Sequence, residues 1–236
     1  LLVALIITLA FSSAETSSVT CSEISVFNEE KNEARLDKAE VIRLANSAGE
    51  EILGRRLKDI NAEEIKKAVE TSSIIERAHV YKTVVRDSSK YRGTLGVKVK
   101  YRKPALRVIS DKESYYLDVD GNKFPTSTDY SVNVMLVSGN VKEEAVREQI
   151  LPFVLHIADD KFWSSQIKQI FVNNNKELLL TPLVGNHIIE FGEATDYKKK
   201  LRNLMAFYEQ VLQGKNWDKY EKISLKYNGQ IVAKKR

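Results

Sequence analysis

At 236 residues, with 43% hydrophobic content and only 4 prolines, the chain is long enough for two modest domains and too apolar for a disordered one. Its net charge of +5 arises from 37 basic and 32 acidic residues that are interspersed, unlike the basic stripe of a nucleic-acid binder. The densest runs, Lys198-Lys199-Lys200 and Lys234-Lys235-Arg236, read as solvated faces, and a single cysteine excludes an internal disulfide.

Residues 1–11 form an uncharged apolar run. As a helix it would span about 17 Å, too short for a hydrocarbon core of about 30 Å. The sequence starts without Met, so the run reads as part of a longer transmembrane span, 1–11, followed by a polar spacer, 12–20. The competing reading is a signal peptide cleaved near Ser12-Ser13-Ala14. Either reading places the bulk of the chain outside the cytoplasm. Cys21 is then an unpaired thiol near the membrane or a modified one. Ser18-Val19-Thr20 fits a lipoprotein signal poorly, since small residues should precede the modified cysteine.

Ile24, Val26 and Phe27 suggest a first strand before a charged turn, residues 28–35. Asp37 can cap a helix with Val41, Ile42, Leu44 and Ala45 on its apolar face. Asn61, with Glu64 three residues on, resembles a capping box for a second helix bearing Ile65, Ala68 and Val69. Residues 78–85 read as a strand. A clearer strand follows, with Leu95, Val97, Val99 and Tyr101 alternating against Lys98, Lys100 and Arg102, and Pro104 ends it. The order strand, helix, helix, strand, strand defines a small domain, 21–105.

From residue 106 the pattern becomes strand-rich. Residues 115–124 read as a hairpin turning at Asp120-Gly121, and 132–137 as a strand. Residues 143–157 read as a helix, 167–183 as a hairpin around Asn173-Asn174-Asn175, and 187–192 as a strand. An amphipathic helix with Leu201, Leu204, Met205, Tyr208, Val211 and Leu212 on one face precedes Gly214. Residues 223–234 read as one closing strand. The fold class is therefore α+β: a truncated N-terminal membrane anchor, a small βααββ domain, then a larger strand-rich domain with packed helices, 106–236.

No motif carries catalysis. Asp118-Val119-Asp120-Gly121-Asn122 departs from an EF-hand because its glycine comes two residues early, and a plain hairpin turn is the better reading. His79, His156 and His187 fall in three different elements without zinc-ligand spacing. Gly93-Thr94-Leu95-Gly96 enters a strand rather than a helix, so it is no phosphate loop. Surfaces remain. The closing strand is either an ordinary sheet edge blunted by Lys234, Lys235 and Arg236, or an edge that recruits another chain.

The strand-helix-helix-strand-strand unit ending in 96–107, Gly-Val-Lys-Val-Lys-Tyr-Arg-Lys-Pro-Ala-Leu-Arg, resembles an FtsQ-type POTRA domain. Tyr115-Tyr116-Leu117-Asp118 with Asp120-Gly121 and Phe124-Pro125 resembles the start of that family's β-domain. Further similarities are Val137-Ser138-Gly139-Asn140, the 184–192 stretch, the Lys199-Lys200-Leu201 helix, and Trp217-Asp218-Lys219-Tyr220 with Ile223, Leu225, Lys226, Tyr227, Gln230, Ile231 and Val232. In this order they cover nearly the whole chain, in wording similar to Bacteroidetes versions of the FtsQ (DivIB) family.

The resemblance implies a single-pass inner-membrane protein with POTRA and β-domains in the periplasm, working at the division septum. It implies no catalysis, cofactor, metal, nucleic acid or small-molecule substrate. It implies a divisome scaffold that holds FtsB-like and FtsL-like partners by strand addition at the last β-strand. Carried onto this chain, that surface is Leu225, Lys226, Tyr227, Asn228, Gly229, Gln230, Ile231 and Val232, with Lys226 and Tyr227 matching a basic-aromatic pair. On this reading Tyr227 supplies apolar contact area and Lys226 selects an acidic partner. The alternative is a POTRA-bearing component of an outer-membrane translocation or assembly system, which needs a long barrel of alternating strands after the POTRA units.

Overall fold

Six stretches are described in this computed structural model: residues 18–30, 37–49, 51–87, 90–126, 132–212 and 216–236. The chain divides between Arg102 and Lys103 into two compact units, each with its own hydrophobic core. Residues 1–11 and Gly214, both given roles in the sequence reading, lie outside the described residues. Among those described, no helix is long and apolar enough to cross a membrane.

The first unit comprises β1 (Cys21–Asn28), α1 (Lys38–Asn46), α2 (Ala62–Glu70), β2 (Ile75–Asp87) and β3 (Lys90–Tyr101). Its helices start where side chains replace missing helical acceptors. The Asp37 carboxylate accepts from the Glu40 N–H at 3.0 Å, and Asn61 Oδ1 accepts from Glu63 and Glu64. The sheet order is β1-β3-β2, β3 running parallel to β1 and antiparallel to β2. Leu95, Val97, Val99 and Tyr101 of the central strand are buried with Val41, Ala45, Ile65 and Val69 of the helices. Strand β2 is longer than the 78–85 expected, because β3 offers partners from Ile75 to Asp87. Its exposed edge is partly closed where Glu70 accepts the Ala78 N–H at 2.8 Å.

Cys21 is a free thiol, as read from the sequence, and it is the buried first residue of β1, 1% exposed. Its N–H donates to the Arg55 carbonyl and its Sγ contacts the Glu23 carbonyl at 3.3 Å. Packing starts even earlier, at Val19.

The second unit runs β4 (Leu106–Ile109), β5 (Ser114–Leu117), β6 (Lys123–Pro125), β7 (Met135–Gly139), α3 (Glu143–Ala145), a π segment (Val146–Ile150), α4 (Leu151–Asp159), α5 (Lys161–Gln166), β8 (Ile167–Val172), β9 (Leu178–Pro182), β10 (Ile188–Gly192), α6 (Tyr197–Val211), β11 (Tyr220–Ser224) and β12 (Val232–Lys235). The π segment precedes Pro152, which lacks an amide donor and would crowd the carbonyl four residues back in a regular helix. Strand β7 starts three residues later than expected, where its parallel pairing with β4 starts. The Asp118 carboxylate accepts from the Asp120 and Asn122 amides, which makes this loop a tight hairpin turn.

These strands form one sheet in the order β12-β11-β10-β9-β8-β7-β4-β5-β6. Phe153, Ile157, Leu201, Leu204 and Tyr208 of the helices are buried with Val137, Ile170, Leu180, Ile189 and Ile223 of the strands. The sheet is open, with β12 and β6 at its ends. Among the described residues the sheet does not close into a barrel.

Candidate functional site

The closing segment differs from expectation. Residues 223–234 do not form one strand: β11 ends at Ser224, the chain turns, and β12 returns antiparallel to it. The turn carries Asn228-Gly229, with Gly229 at φ 78°, a left-handed conformation that glycine adopts at little cost. Asn-Gly between apolar stretches is the strongest short-range hairpin signal, and it was the cue available in the sequence. It was masked by apparent alternation on both sides.

Of the eight residues expected to bind a partner, only Val232 lies in the edge strand. Leu225 belongs to the core at 4% exposure, and its N–H donates to the Glu190 carbonyl at 2.9 Å. Lys226 is not a free cation: its Nζ meets Glu177 Oε2 at 2.7 Å. That contact, aided by Asn173, holds the Glu177 carboxyl below its usual range and raises the Lys226 amine. Asn228 Oδ1 accepts from Lys199 Nζ at 3.0 Å. Tyr227 (55% exposed) and Val232 (45%) face solvent, Gly229 and Gln230 are exposed, and Ile231 is half-buried.

Together the loop and the start of α6 enclose a cleft of about 340 Å³ lined by Glu177, Lys199, Lys200, Lys226 and Tyr227, among others. Lys199, Lys200 and Glu177 entered no sequence argument about the closing segment. Lys200 donates to the Phe191 and Glu193 carbonyls, and burial lowers its amine from the ordinary lysine range. Beside the cleft, β12 pairs with β11 from Ser224↔Val232 to Tyr220↔Lys235. Its other flank has no strand partner among the described residues. The flank is thus a row of backbone donors and acceptors, with an exposed tyrosine and an apolar residue nearby and cations along the strand.

The histidines do not converge. His79 lies on β2 and His156 on α4, while His187 is buried, its Nε2 2.9 Å from the Tyr208 hydroxyl. Burial lowers the His187 pKa, an effect partly opposed by the neighbouring Trp217 backbone. Among the described residues no cluster of three or more His, Cys, Asp or Glu is placed to hold a metal.

The architecture is that of a POTRA-like unit joined to an open, edge-presenting β-domain. A POTRA-like domain model matches residues 19–87, and the model described as FtsQ/DivIB, C-terminal related matches residues 103–234. The chain belongs to the FtsQ/DivIB family. It is similar to a cell division protein FtsQ from Salinibacter ruber, at 27% identity over 158 residues. The match covers 61% of this chain and 61% of that relative's length.

Proposed function

We propose that this protein is a non-catalytic, membrane-anchored scaffold of the cell-division machinery. It sits in the inner membrane at the septum with its bulk in the periplasm. It holds FtsB-like and FtsL-like division proteins by taking up a partner strand on β12. The observation that carries the reading is the outer flank of β12, which has no strand partner among the described residues, in a member of this family. The apolar run at residues 1–11 supports the anchor. The Lys226–Glu177 pair moves acidic-partner selection away from Lys226 and toward the cations of the edge itself, Lys234 and Lys235. Lys234 lies 3.1 Å from Glu221 in an exposed pair, and such pairs exchange partners at little cost.

Backbone amides alternate in direction along a strand, so the test is a pair of prolines, Ala233→Pro and Lys234→Pro. One removes a bond to β11 and the other removes an outward donor. Calorimetric titration with an FtsB-like periplasmic segment is expected to show one variant that stays folded and loses affinity about tenfold or more. Unchanged affinity in both folded variants rules out strand addition at β12.

A further inference from the structure

We propose that the end of the first unit where the chain runs into β1 is a lipid-facing surface that rests on an anionic bilayer. This inference rests on the membrane anchoring proposed above. Strand β1 starts at Cys21 opposite Gly93, whereas β2 and β3 remain paired beyond that point, through Val85↔Arg92, Arg86↔Tyr91 and Asp87↔Lys90. The hairpin therefore overhangs β1 on the side from which the chain approaches. A loop is stapled to the same end. The Cys21 N–H donates to the Arg55 carbonyl and the Gly54 N–H to the Cys21 carbonyl, both at 2.8 Å, while the Leu57 N–H donates to the Val19 carbonyl at 2.9 Å. A Cβ on Gly93 would lie 2.6 Å from both Leu57 Cδ1 and the Thr20 carbonyl oxygen. Loop, hairpin and incoming chain are thus one contiguous end.

That end exposes apolar side chains. Leu53 is 48% exposed and Val85 58%. Exposed cations flank them, Arg56 and Lys58 on the loop and Arg86 and Lys90 on the hairpin. By sequence, stretches 51–59 and 84–92 hold six Lys or Arg against three Asp or Glu. Apolar tips within a cationic rim suit the bilayer interface: side chains enter the acyl boundary while the cations meet headgroup phosphates. Reach favours a membrane over a protein partner. Only residues 12–18 separate the apolar run from Val19, and seven residues span at most about 25 Å.

The test uses the full chain with Val85→Cys carrying an environment-sensitive fluorophore; Cys21 is buried and stays in place. It is mixed with vesicles of phosphatidylcholine, alone or rich in phosphatidylglycerol. The expected result is a blue shift, and quenching by nitroxide on the upper acyl chain, on the anionic vesicles. The signal should fall severalfold in a Lys58→Glu/Lys90→Glu variant. Repeating the readout at Leu53→Cys guards against a disturbance local to the hairpin. A chain that floats with the vesicles while both labels stay water-like overturns this inference and leaves the anchor standing. A chain that floats with neither vesicle overturns both. A blue shift that grows with protein concentration in the absence of lipid assigns the surface to self-association and also overturns the inference.

Discussion

Gly139, in the Val137-Ser138-Gly139-Asn140 stretch that resembles the family, adopts φ 99°. A Cβ there would sit 2.3 Å from the Val172 carbonyl oxygen, which accepts from the Asn140 N–H at 2.9 Å. The backbone conformation and the close approach both demand glycine. Gly139→Ala is expected to destabilise the second unit by about 1–3 kcal/mol, measurable as a lowered denaturation midpoint. His187 acts through pH. Because burial lowers its pKa, the unfolded chain takes up its proton first. Stability from the neutral ring is therefore whole above about pH 6.5 and is lost as pH falls below it, through the lower folded value. Denaturant titrations between about pH 7.5 and about pH 5 should show this loss, and a folded His187→Gln variant should show a flatter profile.

At the scale of elements, legibility followed the range of the interactions. Caps at Asp37 and Asn61 were readable because each satisfies amides two or three residues away. The alternation of Leu95, Val97, Val99 and Tyr101 was readable because one face of β3 is buried. The end of the chain was not. Leu225 is buried through β10, and the Lys226–Glu177 pair joins residues 49 apart, so an alternating pattern there looked like a solvent-facing strand. The loop leaves Tyr227 as its large exposed side chain. If a partner lying along β12 also covers that loop, Tyr227→Ala should weaken binding by about 1–4 kcal/mol with little change in folding. Titration of the folded variant at unchanged affinity would confine the interface to β12 itself.

For the whole molecule, the order of elements was sufficient to read a βααββ unit followed by a strand-rich one, because hydrophobic periodicity switches are local. Which strands neighbour which was out of reach. The pairings of β4 with β7 and of β10 with β11 are parallel and bridge helices or long connections, information that lives in packing rather than in any window of sequence. The proposed docking edge depends on that arrangement, since it places β12 at the end of the sheet.

The burial of Cys21 has a practical consequence. As the chain's one thiol, hydrogen-bonded within the leading strand and sealed beneath the loop at Gly54 and Arg55, it meets an alkylating reagent chiefly when that strand detaches. Its capture rate is therefore a native stopwatch for partial opening of the POTRA-like unit, and it needs no engineered label.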